Sequence, residues 1–307
     1  MNNKNYAVLD IGSNSFHLVI AHFENNRIII DQRDRVVLRL GEFTGEHGRF
    51  ISPQNISNAI TIIKRHKEIA AEYNCELIAT ATSAVREAAN KNDLLDAVLQ
   101  ATGINIRVLS GDEEASLIYS GVMALIPANI SKSFVLDIGG GSSEITLGVG
   151  KAPYKTISLK MGAVRCSSLF FPDFNLTDAA ILACMDYIHR QLDELDDTCT
   201  SFHPEICIGT SGTIRIITSI LSIKGLGRTS ESGLPYFTWQ DFQAIKDEVF
   251  YLKSNELLSR YAIEETRADI LPAGLLILEG VMQKFSINEM CYSDYSLREG
   301  VILDSIE

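Results

Sequence analysis

No run of the sequence approaches the roughly 20 apolar residues of a membrane-spanning helix. The N-terminal MNNKNYAVLDIGSN meets Asp10 too early for the apolar region of a secretory signal peptide. Basic residues are scarce: 27 Lys and Arg stand against 39 Asp and Glu, a net charge of −12. Proteins that grip long duplexes are usually basic, so DNA is excluded as a general partner. The six cysteines include no C-x-x-C pair and the six histidines no H-E-x-x-H. That argues against a structural zinc site and for reduced thiols in a cytoplasmic protein without a membrane partner. Neither a Walker G-K-[ST] loop nor G-x-G-x-x-G occurs.

What is present is a repeat. VLDIGSNS (residues 8–15) and VLDIGGGS (residues 135–142) stand 127 residues apart, in a chain of 307 residues long enough for two domains. Each copy opens three strand-like segments. The first set is YAVLDIG, SFHLVIAHF and RIIIDQRDRVVL, the last two joined by an Asn-Asn turn. The second is SFVLDIGG, SSEITLGVG and YKTISLK, with turns expected at 148–150 and 152–153. Helices are expected after Ser52 and Pro53, over SAVREAAN, over 93–102, and over GDEEASLIYSGVMALI with Asp112 as its cap. In the second half they are expected from Ala163, from Thr177, after SGT, over TWQDFQAIKDEVFYL, over RADILPAGLLILEGVMQKF, and over SLREGVILDSI. Ser296 and Glu299 suit a capping box for that last helix.

The expected fold class is therefore α/β: two half-repeats, each with a mixed sheet flanked by helices. The boundary is placed in the PANISKS linker, giving domains of residues 1–127 and 128–296, with 297–307 packing back on the first.

The two Asp-led loops carry the chemistry. Glycine lets the backbone turn tightly and lets a ligand approach. Successive N–H groups in such a turn make an anion-binding concavity. Gly12, Ser13, Asn14 and Ser15 line the first loop, and Gly139, Gly140, Gly141, Ser142 and Ser143 the second. A lone loop of this kind is equally a plain hairpin; two copies, each led by an Asp, favour phosphate. A carboxylate beside phosphate is repulsive unless a cation intervenes. Asp10 and Asp137 thus imply a hard metal, Mg²⁺ above others, with Glu144 close enough in sequence to join.

Two further stretches stay open on their residues alone. Glu113 and Glu114 fall in the first turn of a helix, where acidic residues favour the dipole; that bland role is the stronger one without other information. Ser211, Gly212 and Thr213 close a strand and open a helix, which suits an ordinary cap and an anion site alike. Arg86, Arg165, Arg215 and Arg267 are candidate phosphate contacts, Arg86 and Arg165 foremost. Arg298, His17 and Cys207 are read as structural.

VLDIGSNSFHLVI, ATSAVREAAN, SGDEEASLIYSGV, VLDIGGGSSEI, GAVR, GTSGTIR, RADILPAG and SDYSLREG occur in this order from about residue 6 to about 303. As an ordered set they resemble the exopolyphosphatase / guanosine pentaphosphate phosphatase family. The resemblance implies two ribonuclease H-like domains of the actin-like ATPase superfamily, with an active-site cleft between them. It implies hydrolysis of a terminal phosphoanhydride of polyphosphate or guanosine pentaphosphate, and it turns Glu114 into the base that activates water. The chain resembles the short, two-domain members. Ser143 stands where the family often has Thr, which keeps the hydroxyl.

The expected cofactor is Mg²⁺, held by Asp137, Glu144 and Asp10, with Mn²⁺ as a substitute and a monovalent cation as a further candidate. Oligomeric state is left open, a homodimer included. Two competing functions use the same loops: an actin-like kinase or ATPase, and a non-catalytic sensor of guanosine polyphosphates.

Overall fold

The computed structural model describes residues 4–25, 27–40, 42–43 and 49–306. The chain divides into two compact units, one of Met1–Ala124 with Leu297–Glu307, the other of Leu125–Ser296.

Unit one opens with an antiparallel meander of β1 (Asn5–Ile11), β2 (Ser15–Glu24) and β3 (Arg27–Val37). The expected Asn-Asn turn is described at Asn25, with φ 50°; Asn26 lies outside the described residues. Short strands β4 (Glu42–Phe43) and β5 (Arg49–Phe50) pair with each other. Then come α1 (Pro53–Glu72), β6 (Leu77–Ala81), α2 (Ser83–Arg86), α3 (Lys91–Thr102), β7 (Ile106–Val108) and α4 (Gly111–Met123). The sheet order is β3-β2-β1-β6-β7, with β6 and β7 parallel to β1. The last helix of the chain, α13 (Leu297–Asp304), packs on α4 and β1.

The sequence explains these elements locally. In β1, Ala7 to Leu9 are buried without alternation, as befits a central strand covered on both faces. The Ser52 side chain accepts from the Asn55 N–H to cap α1, and Pro53 needs no partner at the first position. Ala59, Ile63, His66 and Ala70 of α1 recur at three- and four-residue steps and are buried.

Two expectations change in unit one. The cap of α4 is Ser110, in a reciprocal box with Glu113, and Asp112 stands inside the helix. SAVREAAN makes only one turn, α2. Its next residues are drawn to β5 instead: Ala89 N–H donates to the Arg49 carbonyl at 3.0 Å, and the Asn90 amide binds both backbone groups of Ile51 at 2.9 Å.

Unit two repeats the plan. It begins with β8 (Lys132–Ile138), β9 (Ser143–Val149) and β10 (Ala152–Leu159), followed by α5 (Ala163–Phe170), α6 (Asp178–Asp193) and α7 (Asp197–Thr200). Next are β11 (Ile206–Thr210), α8 (Gly212–Ile223), β12 (Arg228–Thr229), β13 (Pro235–Thr238) and α9 (Trp239–Val249). The remainder is α10 (Ser254–Tyr261), α11 (Glu265–Ala268), α12 (Leu271–Lys284) and β14 (Glu289–Tyr292). The sheet order is β10-β9-β8-β11-β14-β13-β12. Its first five positions repeat unit one: an antiparallel meander, then two strands parallel to the central one. Every residue of α12 from Leu271 to Met282 is buried, so this helix is the spine of the unit's core.

Here too the structure corrects the reading. The expected turn at Ala152–Pro153 lies inside β10; the chain reverses earlier, at Gly150 with φ +61°. Pro153 is tolerated because β10 is an edge strand with a register shift beside it. RADILPAG and LLILEGVMQKF do not form one continuous helix: α11 ends at Ala268, and Pro272 sits in the first turn of α12, where its missing N–H costs nothing.

Candidate active site

The repeated loops are matching four-residue reversals. Ile11 pairs with Phe16 across the first, and Ile138 with Ser143 across the second. In both the glycine sits against the carbonyl of the serine three residues on. A Cβ would stand 3.0 Å from the Ser15 oxygen at Gly12 and 2.9 Å from the Ser142 oxygen at Gly139. Only a residue without a side chain closes this turn unstrained.

The residues leading into the loops form equivalent rows across each sheet. In unit one, Thr80, Asp10, His17 and Arg35 are register partners on adjacent strands. In unit two the same positions hold Thr210, Asp137, Glu144 and Ser158. Directly opposed residues share a face, so one row gathers basic partners around its Asp and the other a second carboxylate. His17 Nε2 is hydrogen-bonded to the Ser15 hydroxyl at 2.7 Å, and Arg35 Nε donates to the same oxygen at 3.4 Å.

In the first loop Ser13, Asn14 and Ser15 are all buried. Both side-chain amide atoms of Asn14, and Oδ1 of Asp10, are buried with no hydrogen-bond partner among the described residues. Buried polar groups are nearly always satisfied, so these point to a ligand. Burial pushes the Asp10 carboxyl up to about 6, against the opposing pull of the Arg298 charge and with a further push from Glu299.

The second loop is held by α5. Ala163 N–H donates to the Gly139 carbonyl at 2.9 Å; Val164 and Arg165 N–H groups donate to that of Gly140 at 2.9 and 3.0 Å. Loop carbonyls are thereby turned toward α5. Arg165, expected on phosphate, is buried and donates through Nε to the Gly141 carbonyl at 2.6 Å. Ser143 donates its hydroxyl proton to the Met161 carbonyl at 2.5 Å, which leaves that hydroxyl no proton for a phosphate. Ser142 closes the loop and is buried.

Ser211 does not cap α8. Its φ is +124°, it makes no side-chain cap bond, and its Oγ is buried without a partner among the described residues. The ordinary-cap alternative therefore fails at this residue. The Arg267 guanidinium lies where a Cβ on Gly212 would stand, against the same helix start, and Thr213 is buried beside them. Arg215 points outward on α8 and is exposed.

The acidic pair of α4 separates. Glu113 is exposed and accepts from the Ser110 N–H at 2.8 Å; that cap and the Ser110 hydroxyl, then Arg107, hold its carboxyl below the ordinary value. Glu114 is 6% exposed, and its Oε2 accepts from Arg86 Nη1 at 2.8 Å. The same nitrogen donates to the Leu109 carbonyl at 2.8 Å. Glu114 is thus a buried carboxylate fixed in orientation, which the helix-dipole role neither needs nor explains.

Asp137 and Glu144 are opposed across β8 and β9, Glu144 2% exposed and accepting from the Ser158 hydroxyl at 2.8 Å. Two hard oxygen donors on one face suit Mg²⁺, which keeps several waters. Among the described residues no group of three or more His, Cys, Asp and Glu could hold a metal ion. Asp10 has different company, with His17, Arg35 and Arg298 near it.

Sequence reading missed Arg35 and Arg49 beside the first loop. Arg35 was available from the hairpin register; Arg49 lies in no motif. Cys207, expected in the core, is partly buried, and burial raises its thiol to about 12.

Two copies of one mixed-sheet plan, each opening on an Asp-led glycine reversal, define a duplicated α/β protein. The chain belongs to the Ppx/GppA phosphatase family, whose profile matches residues 18–307. Exopolyphosphatase 1 of Mycobacterium tuberculosis (strain ATCC 25618 / H37Rv) is 30% identical over 307 residues, covering 98% of this chain and 88% of the relative. Guanosine-5'-triphosphate,3'-diphosphate pyrophosphatase of Pseudoalteromonas atlantica is also 30% identical, over 306 residues and 98% of this chain, but the chain spans only 58% of its length. The crystal structure of an exopolyphosphatase from Cytophaga hutchinsonii superposes with a TM-score of 0.88 at 27% identity, covering 99% of this chain and 98% of that one. The Aquifex aeolicus Ppx/GppA family member gives 0.79 at 25%, over 98% and 97%. Among the described residues no helix is long and apolar enough to cross a membrane.

Proposed function

We propose that the chain hydrolyses terminal phosphoanhydrides, releasing orthophosphate from inorganic polyphosphate, from guanosine pentaphosphate, or from both. The observation that carries this reading is Glu114: a buried carboxylate at a helix start, held by Arg86 at 2.8 Å in a phosphatase family.

Phosphoryl transfer to water asks the protein for positioning and charge stabilisation more than for covalent chemistry. Backbone N–H groups of the two glycine loops, with the Ser13, Asn14 and Ser211 side chains, bind phosphate oxygens. Glu114 orients a water and takes its proton as the oxygen attacks the terminal phosphorus. The anhydride oxygen departs with the shortened chain. Asp137 and Glu144 would hold Mg²⁺, or Mn²⁺ in its place, and an ion there would neutralise charge on the phosphate oxygens. Asp10 is the further candidate ligand. With a net charge of −12, attraction for a polyanion is local, coming from loop N–H groups, arginines and the ion.

Orthophosphate release from polyphosphate and from guanosine pentaphosphate, side by side and with or without Mg²⁺, tests the reading. Release that stops on chelation supports it. Transfer to an acceptor hydroxyl, or tight binding of either compound without turnover, overturns it.

A further inference from the structure

Arg49 is buried to 2% exposure in the two-residue strand β5, far in sequence from every glycine loop. Its Nη1 lies 3.2 Å from the Ser13 hydroxyl in the first loop and 3.4 Å from the Ser83 hydroxyl at the start of α2. The two hydroxyl oxygens are 3.1 Å apart. Three polar groups from three separate segments thus meet at one point beneath the loop.

We propose that Arg49 is a positioning residue for phosphate at the first loop, acting through Ser83 and Ser13 to turn a polarised Ser13 O–H toward the bound anion. The inference rests on the phosphate-hydrolase reading above and extends it to two residues outside the glycine motifs.

Hydrogen-bond capacity leaves one of the two hydroxyl protons free, and either serine can be the donor to the other. A guanidinium has donors and no acceptor, so both serine oxygens accept from Arg49. Each hydroxyl has one proton. Only one proton fits between the two oxygens, and the other must leave the cluster. Ser13 is the member that stands in the loop. With Ser83 donating to Ser13, the Ser13 oxygen accepts twice and its own proton points outward. Accepting from a cation and from a second hydroxyl strengthens that outward O–H as a donor, since chains of hydrogen bonds polarise one another.

The surroundings fit an anion. Asn14, next in the loop, has its amide buried with no partner among the described residues. The arginine is also held in place: its carbonyl accepts from Ala89 N–H at 3.0 Å, and the Asn90 amide grips Ile51 two residues on. The segment that fixes Arg49 therefore also carries Ser83 and Arg86.

The test compares wild type with Arg49→Met, Arg49→Lys and Ser83→Ala. It measures kcat and KM for orthophosphate release, tripolyphosphate binding by calorimetry, and melting temperature. Arg49→Met should raise KM and weaken tripolyphosphate binding by about ten- to a hundredfold, the range for losing a charged hydrogen bond. Its kcat should stay within about threefold, because the contact serves ground and transition states alike. Arg49→Lys should recover part of the loss, and Ser83→Ala should show a smaller rise of about three- to tenfold. An unchanged KM in Arg49→Met, a fall in kcat alone, or no recovery with lysine overturns the proposal. If Arg49→Met does not fold, unchanged KM in both other variants overturns it. If wild type releases no phosphate, the hydrolase reading fails by itself. Calorimetry then decides: weaker tripolyphosphate binding in the variants upholds the cluster, and equal or absent binding refutes it.

Discussion

Arg86 Nη1 sits 2.8 Å from Glu114 Oε2 and 2.8 Å from the Leu109 carbonyl, so one guanidinium nitrogen ties the candidate base to the end of the loop before α4. That contact fixes where the carboxylate points. Misplacement of a catalytic group by about 1 Å can cost on the order of a hundredfold. Arg86→Gln is expected to lower kcat by about ten- to a hundredfold. Added to Glu114→Gln, it should lower kcat little further, since the two act as a unit. Fully multiplicative losses in the double variant would show that Arg86 acts apart from Glu114.

Glu144 offers a way to separate metal from fold. Its carboxylate is opposed to Asp137 across two strands and accepts from Ser158. Glu144→Gln keeps the shape and removes the charge. The Mg²⁺ concentration for half-maximal phosphate release should rise by about tenfold or more, while melting without metal stays near wild type or rises. An unchanged metal requirement would remove Glu144 from the ion's site.

Gly162 lies against the second loop. A Cβ there would stand 2.5 Å from the carbonyl carbon and oxygen of Gly140. Gly162→Ala must push α5 and the loop apart, breaking the bonds from Ala163, Val164 and Arg165. Overpacking of this kind costs about 1–3 kcal/mol. Both melting temperature and phosphate release should fall; a variant with wild-type values for both would refute the account of how the loop is held.

His66 gives unit one a pH dependence. It is fully buried, and burial holds its imidazole below the usual value, outweighing the hydrogen bond from Nε2 to Asp34 at 2.9 Å. The folded chain therefore favours the neutral ring. Its stabilising contribution is complete above the unfolded value of about 6.5 and declines as pH falls below it. Asp10, raised to about 6, acts in the opposite sense over the same range, so the comparison is between wild type and His66→Gln. In denaturation midpoints measured between about pH 7.5 and 5, wild type should lose stability relative to His66→Gln as pH falls. Identical slopes would show that His66 does not titrate in unfolding.

The fold was legible where the code is local. Ser52 and Pro53 announced α1, and the VLDIG repeat announced both meanders. Misreadings arose where a distant partner decided. SAVREAAN has helical spacing, but Arg49 and Ile51 claim the backbone and side chains of Ala89 and Asn90. At α4 two residues could cap, and only the geometry selects Ser110 over Asp112. The site divides in the same way. Loop glycines and serines are visible as motifs. The engagement of Ser143 with Met161, and of Arg165 with Gly141, depends on how α5 docks. The different roles of Glu113 and Glu114 come from which side of one helix turn each occupies, which sequence adjacency conceals.

The central claim is that Glu114 takes the proton from the attacking water. Glu114→Gln retains size and hydrogen-bonding shape but cannot act as that base. Orthophosphate release from polyphosphate by this variant, measured at saturating substrate and Mg²⁺ beside its melting temperature, is the direct test. The account predicts a fall in kcat of about 10²- to 10⁴-fold with melting unchanged. Turnover close to wild type in a folded Glu114→Gln protein would contradict it.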